Sequence, residues 1–197
     1  MQNIFLSNQK PEDYVKKNGT GKYPAAPKKC PHSDCGIPLE MKKNGYYTRL
    51  VITLTFAGQI RIRRYKCLKC GRTVSMLPSF CMAGFTYGVE FIILLLQQAI
   101  NLDSIKKTVK EWRSRFESIS RRLVNKYITR LRINRKMIQY GINQLSPDNL
   151  ALGRIPGDND WTKSFLFGIR PSLCPEFNAD FQKTTGKSFM SLQNSIA

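Results

Sequence analysis

The sequence has 197 residues, 42% of them hydrophobic, and its 32 Lys and Arg against 13 Asp and Glu give a formal net charge of +19. This length suits one ordinary domain or two small ones, and the hydrophobic content excludes wholesale disorder. A positive charge of this size attracts polyanions, which means nucleic acid or an anionic membrane surface.

Residues 1–27 predict a flexible lead-in, because proline and glycine interrupt a polar stretch. The stretch lacks the basic cluster and sustained apolar run of a secretory signal. The longest apolar run of the chain, Phe91 to Leu96, is far shorter than the ~20 residues of a membrane-spanning helix. We therefore expect a cytoplasmic protein without membrane contact, whose six cysteines are ligands or free thiols rather than disulfides.

Residues 28–80 contain two cysteine pairs that predict a zinc ribbon. The pairs lie in the segments CPHSDC and CLKC, and each is followed by a glycine, Gly36 or Gly71, that allows a tight turn. Structural Zn²⁺ is held by four soft ligands at tetrahedral angles. The ligands predicted for one structural Zn²⁺ are Cys30, Cys35, Cys67 and Cys70. The alternative is that all four are buried free thiols of an ordinary core.

The chain's other cysteines and its single histidine are not predicted to bind the metal. His32 lies between the cysteines of the first pair and is better explained as an exposed loop residue. Cys81 and Cys174 fall outside the pattern and are predicted to fill cores. Because four thiolates would complete the zinc shell, no position remains for a catalytic water, and we expect no enzymatic activity.

Two strand-like segments between the cysteine pairs predict an antiparallel hairpin. Residues 46–55 are rich in β-branched and aromatic residues, and residues 60–66 begin with strict alternation. The alternation puts Ile60 and Ile62 on one face and arginines on the other. A glycine within residues 56–59 supplies the turn.

Residues 85–145 predict a helical segment. The expected helices cover residues 87–100, 105–112 and 114–145. The first is apolar nearly all round, and Asp103 or Ser104 is placed to cap the second. Three helices in this order are compatible with a helix-turn-helix. Residues 147–197 predict only short elements, and their aromatic side chains predict a C-terminal segment that packs on the helices.

The segments CPHSDC, KKNGYYTR and RIRRYKCLKCGRTVS resemble the zinc-ribbon head of bacterial insertion-sequence transposases and of a related uncharacterised bacterial family. The resemblance covers residues 28–80 and, more loosely, 85–135, where the family places a helix-turn-helix. It implies that the four paired cysteines hold the metal and that the ribbon and helices recognise DNA ends. It also implies a basic surface around the second cysteine pair, formed by Arg64, Lys66 and Arg72.

The sequence departs from the transposase pattern in two respects. The first cysteine pair is separated by four residues, more than in the family's common form. A full transposase also continues into a catalytic domain with three metal-binding carboxylates, whereas fewer than 50 residues follow position 150 here. We therefore expect a regulatory or mobile-element-related protein without nuclease or strand-transfer activity.

The excess positive charge is concentrated in two blocks. Residues 28–72 and 102–136 each carry a net charge of +9, and Glu90 is the single charged residue between them. One basic side chain is usually solvated surface, but two such blocks favour nucleic-acid binding. The residues predicted to contact nucleic acid are Arg61, Arg63, Arg64, Lys66, Arg72, Lys106, Lys107, Lys110, Arg113, Arg115, Arg121, Arg122 and Lys126.

Together these patterns predict an α+β, zinc-dependent nucleic-acid-binding protein associated with the nucleoid. Duplex DNA is favoured as the partner because a helix-turn-helix would place Arg121 or Arg122 against guanine edges. RNA is an alternative partner. The sequence lacks the aromatic pair on a strand platform that base-stacking RNA modules use, but Tyr46, Tyr47 and Tyr65 on the predicted strands keep RNA open. The other alternative is a protein-interaction module, in which the apolar helix forms a homodimer interface.

Overall fold

The computed structural model describes residues 1–18, 23–36, 38, 41–145 and 161–191. They divide into two compact units, Met1–Gly88 and Val89–Ala197. Within the described residues the chain forms a four-stranded mixed sheet and seven α-helices, so the expected α+β class is confirmed. The sheet and the first helix belong to the first unit, and the other six helices belong to the second.

The sheet has the strand order β1–β4–β3–β2. Its strands are β1 (Gln2–Phe5), β2 (Lys42–Ile52), β3 (Ala57–Lys66) and β4 (Thr73–Pro78). β2, β3 and β4 pair antiparallel in chain order, whereas β1 pairs parallel with β4. β3 therefore lies in the middle, flanked by the strand that precedes it and the strand that follows it.

The predicted hairpin is present as β2 and β3, but its turn is earlier than expected. The strands pair as far as Ile52 opposite Ala57, so the turn occupies residues 53–56 rather than 56–59. The Thr53 amide donates to the Phe56 carbonyl at 2.7 Å, and the Phe56 amide donates back to the Thr53 hydroxyl at 3.1 Å. A threonine hydroxyl closes this turn, which is why the glycine is not required there.

Residues 1–18, the first part of the predicted flexible lead-in, contain regular secondary structure. They contribute β1 and a helix, α1 (Pro11–Asn18). Tyr14 of α1 is 2% exposed and its ring meets that of Phe80 edge to face, with centroids 5.7 Å apart. The composition does not reveal these elements, because both are stabilised by contacts with residues more than forty positions away.

The two faces of the sheet cover two different cores. Ile60 and Ile62 are almost fully buried on one face, in a cluster that includes Leu77, as the predicted alternation requires. Tyr65 has the opposite parity in β3 and belongs to a second cluster, which contains the paired cysteines. Arg61 and Arg63 are separated from Tyr65 by an even number of residue positions, so they lie on the same, cysteine-bearing face of the sheet.

The second unit consists of helices. They are α2 (Val89–Asn101), α3 (Ile105–Arg113), α4 (Arg121–Ile133), α5 (Arg135–Gln144), α6 (Trp161–Gly168) and α7 (Cys174–Thr185). The apolar α2 is mostly buried and packs against α3, α4, α6 and α7. Ser104 caps α3 as predicted, since its hydroxyl accepts from the Lys107 amide at 3.3 Å.

The single helix predicted over residues 114–145 is wrong. Residues 114–120 form turns, and Ser120 then caps α4 by accepting from the Leu123 amide at 3.2 Å. A second break at Asn134 separates α4 from α5. The fully buried Asn134 side chain donates to the Phe189 and Ser191 carbonyls, both at 2.9 Å. Neither break involves proline or glycine, so the local helix pattern does not mark them.

The predicted C-terminal segment, residues 147–197, lies within the described part of the chain only over residues 161–191. There α6 and α7 bring together aromatic side chains that are mostly buried. The cluster comprises Trp161, Phe165, Phe177, Phe181 and Phe189. None of the helices in the described residues combines the length and hydropathy needed to cross a bilayer.

Substituting Gly141 by valine is expected to destabilise the second unit, because α5 packs closely on α7 at this position. A Cβ at residue 141 would lie 2.9 Å from Cγ2 of Thr185 and closer still to the Phe181 ring. Such overpacking costs about 1–3 kcal/mol. Chemical denaturation measures the loss, and Asn143→Val, at an exposed position of the same helix, serves as the control. An equal effect of the two substitutions would contradict the close approach.

Candidate metal centre

The second cysteine pair forms the turn that joins β3 to β4. The Cys67 amide donates to the Arg72 carbonyl at 2.9 Å, and the Gly71 amide donates to the Cys67 carbonyl at 3.0 Å. Gly71 has a φ of +71°, a conformation that glycine adopts without steric cost. Because Lys66 and Thr73 pair on either side of this turn, the strands hold Cys67 and Cys70 at the end of the sheet.

The first cysteine pair forms a tight turn of its own despite its longer spacing. The amides of Cys35 and Gly36 both donate to the His32 carbonyl at 2.9 Å. This closure lets four intervening residues return the chain on itself, so the wider gap does not separate Cys30 from Cys35. An ion pair between Asp34 and Arg72 ties the first turn to the second.

The four predicted ligands come together. Their sulfur atoms all lie within 4.8 Å of one another, with Cys30 Sγ 3.7 Å from Cys70 Sγ and Cys35 Sγ 3.9 Å from Cys67 Sγ. Metal–sulfur bonds of about 2.3 Å at tetrahedral angles would separate the sulfurs by ~3.8 Å. A disulfide would need about 2.05 Å, and all four residues are free thiols. The spacing fits one metal ion and does not fit disulfides.

Burial and backbone amides act in opposite directions on these thiols. Burial raises the pKa of Cys30 to about 12. The backbone N–H of Cys70 lowers the pKa of Cys67, and the backbone N–H of Arg72 lowers the pKa of Cys70 to about 6. Metals bind the thiolate rather than the thiol. The amides of the second turn therefore favour the charged form that ligation requires.

Among the described residues, the thiols of Cys81 and Cys174 and the imidazole of His32 are not part of the four-cysteine cluster; His32 lies in the first cysteine turn, half-buried rather than exposed as predicted. Cys81 and Cys174 are buried in their respective units, as predicted. Burial raises the pKa of Cys81 to about 12, and it also raises the pKa of Cys174. Neutral, buried thiols of this kind act as small hydrophobic side chains.

The predicted basic residues of the first unit differ in their surroundings. Arg61 and Lys66 are exposed on β3, and Arg63 and Arg64 are half-buried. The Arg72 guanidinium donates to Asp34 and lowers the pKa of that carboxyl. Arg72 therefore helps to join the two cysteine turns, in addition to the surface role that its sequence position predicts.

A basic cavity beside the second cysteine turn was missed by the sequence analysis. It has a volume of about 530 Å³ and is lined by four exposed lysines, Lys42, Lys43, Lys66 and Lys69, together with the turn itself. Strand pairing brings them together, because Lys42 lies opposite Lys66 in the β2–β3 ladder. The two lysines at the start of β2 are visible in the sequence, but only the β2–β3 register shows that they lie beside Lys66.

The predicted basic residues of the second unit lie on two helices and the segment between them. Lys106, Lys107 and Lys110 are exposed on α3. Arg121, Arg122 and Lys126 are exposed on the N-terminal half of α4. Arg113 ends α3, and Arg115 follows with its guanidinium 5.4 Å from the Phe116 ring centroid. Seven residues connect α3 to α4, more than the three or four of a typical helix-turn-helix.

The cysteine cluster can hold one metal ion through four thiolates. Two of its residues, Cys30 and Cys67, are buried, and the other two are half-buried. The donor set is all sulfur, which suits soft metal ions and leaves no open position for water when all four thiolates bind the metal.

Comparisons of the chain with protein-family models, curated proteins and solved structures find no significant match.

Proposed function

We propose that the protein binds DNA and that one structural Zn²⁺, held by Cys30, Cys35, Cys67 and Cys70, stabilises the first unit, which contacts the phosphates. The observation that carries the proposal is the cluster of four sulfurs beside a cavity lined by four lysines. Bound zinc would cross-link the two cysteine turns and supply folding free energy to a small unit. With four thiolates bound, the metal has no catalytic role.

Zinc is preferred over other metals because of the donor set and its setting. Four thiolates at tetrahedral spacing suit zinc or iron. Two short cysteine turns, one of them between paired strands, are typical of structural zinc modules such as zinc ribbons. Elemental analysis of the purified protein separates the two metals: we expect about one equivalent of zinc.

The lysine cavity supports contact with phosphates. Lys66 and Lys69 flank the second cysteine turn, and Lys42 and Lys43 approach from the neighbouring strand. The exposed Arg61 extends the positive charge along β3. Lysine ammonium groups neutralise phosphates and release counterions, which gives affinity that depends on salt and not on sequence. The first unit is thus suited to hold a nucleic-acid backbone.

The exposed cations of α3 and α4 support duplex DNA as the ligand of the second unit. Arg121 and Arg122 occupy the first turn of α4, the part of a recognition helix that usually faces base edges. Arginine there can make bidentate contacts with guanine. We infer a regulatory or mobile-element-related role on the nucleoid, with the long α3–α4 connection as a variation on the helix-turn-helix.

The double substitution Lys66→Gln and Lys69→Gln tests the proposal. We expect it to weaken binding to a random duplex at least about tenfold at low salt and to reduce the slope of log K against log salt by about 2. The matched control is Lys183→Gln and Lys187→Gln, which removes the same charge from exposed positions of the second unit. Fluorescence anisotropy with a labelled duplex measures both, and metal content verifies that the cysteine cluster is intact.

Either of two results would overturn the proposal. The proposal is refuted if wild-type protein that contains zinc does not bind duplex DNA at low ionic strength. If both lysine pairs weaken binding equally, the affinity reflects net charge alone and not the cavity beside the cysteines.

A further inference from the structure

The cysteine-bearing face of the sheet also carries an aromatic pair that the sequence did not reveal. Tyr46 lies on β2 directly opposite Arg63 on β3. Tyr23, from the segment before the first cysteine turn, stacks on Tyr46 with ring centroids 5.5 Å apart and planes 20° from parallel. The sequence indicates aromatic residues on the strands but not this pair, because one partner, Tyr23, comes from outside the sheet.

Two arginines adjoin these rings. The Arg63 guanidinium carbon lies 4.9 Å from the Tyr23 centroid and 5.1 Å from the Tyr46 centroid. The Arg61 guanidinium carbon lies 5.7 Å from the Tyr46 centroid. All are within the range of cation–π attraction. We call these four residues the tyrosine–arginine face.

The tyrosine–arginine face leaves much of an aromatic ring in water. Tyr46 is 48% exposed, whereas Tyr65, which has the same parity in β3 as Arg63, is 4% exposed. The packing that buries Tyr65 therefore does not extend to Tyr46. The face combines an accessible ring with two guanidinium groups close to it, which is the combination that binds a base and its phosphate together.

We propose that the tyrosine–arginine face binds single-stranded nucleic acid, with an unpaired base stacked on Tyr46 and phosphate neutralised by Arg61 and Arg63. A base inside a duplex is already paired and stacked, so a ring on the flat surface of a sheet reaches only an unpaired one. The proposal rests on the proposed function for its charge complementarity. Lys66 of the lysine cavity has the opposite parity from Arg63 in β3, so the tyrosine–arginine face is a separate site from that cavity.

The test compares labelled oligonucleotides of equal phosphate count. The probes are oligo-dT of about 12 nucleotides, an abasic strand of the same length and a random duplex. We expect Tyr46→Ala to weaken oligo-dT binding about tenfold and to leave the abasic strand and the duplex unchanged. Tyr46→Phe keeps the ring and is expected to bind like the wild type. Oligo-U in a parallel series distinguishes RNA from DNA as the better ligand.

Leu50→Ala is the matched control, because Leu50 lies on the same strand and face as Tyr46 and is 49% exposed. It should leave all affinities unchanged. If Tyr46→Ala binds oligo-dT as the wild type does, or weakens the abasic strand equally, the stacking site is refuted while duplex binding still supports the proposed function. Failure of the wild type to bind any probe refutes both. Metal content and circular dichroism verify the fold of each variant.

Discussion

Cys67→Ser is expected to abolish metal binding and to unfold the first unit. Cys67 is 1% exposed, begins the second cysteine turn, and hydrogen-bonds through its amide across that turn to Arg72. Serine is a poor ligand for a soft metal and would leave three thiolates in a buried cluster. In small zinc modules the metal contributes apparent binding free energies of ~10–16 kcal/mol, which appear as folding free energy. A loss of this size is comparable to the entire stability of a typical domain, about 5–15 kcal/mol.

Zinc per mole of protein, measured by elemental analysis, and the near-ultraviolet circular dichroism of the tyrosines report the outcome. Cys81→Ser is the matched control, since Cys81 is also 1% exposed in the first unit but lies outside the metal-binding cluster. It introduces the same buried hydroxyl and should reduce stability modestly while full zinc is retained. A Cys67→Ser protein that keeps its metal and its thermal transition would show that Cys67 is not a ligand of that metal.

Asn134→Asp is expected to destabilise the second unit strongly and in a pH-dependent way. The Asn134 amide donates two hydrogen bonds to carbonyls at 2.9 Å, and a carboxylate in its place would face the same carbonyls with no proton to donate. Burying such a charge costs about 3 kcal/mol or more. Burial raises the pKa of the new carboxyl in the folded state above the ordinary value of about 4.

The sign of the pH effect follows from that raised pKa. Below about pH 4 the carboxyl is protonated in folded and unfolded chains alike, so one hydrogen bond can be kept and the loss is smallest. As the pH rises, the unfolded chain releases its proton more readily, and the stability of the variant falls further below that of the wild type. Urea denaturation at several pH values measures the difference.

Asn125→Asp provides the control for charge alone. Asn125 is exposed on α4 near Arg121 and Arg122, so a carboxylate there should be neutral or slightly stabilising at every pH. If Asn134→Asp were as stable as this control, or lost stability toward acid and not toward neutral pH, the buried hydrogen bonds to the C-terminal segment would not hold α4 and α5 in place.

The four-cysteine cluster could be predicted from the sequence because its information is local. Each cysteine pair with its following glycine encodes a turn, and a hairpin is enough to bring two such turns together. The same holds for the alternation that puts Ile60 and Ile62 on one face and for the Ser104 cap, because both patterns involve residues a few positions apart. Short-range rules of this kind carry over from sequence to structure.

The features that were missed depend on residues distant in the chain. β1 is a strand because β4 offers it a parallel partner, and α4 ends because the Asn134 side chain binds the backbone near residue 190. The lysine cavity needs the β2–β3 register, and the aromatic pair needs Tyr23 to return over the sheet. Tertiary contacts override or complete local preference in each case.

The parallel pairing of β1 with β4 sets an order of assembly on the ribosome. Ser7 and Ser79, just beyond the ends of these strands, are 72 residues apart and joined by a hydrogen bond. All four cysteines are therefore synthesised before the partner of β1 emerges. A nascent chain can therefore bring its four cysteines together before its N-terminal strand has a partner to pair with.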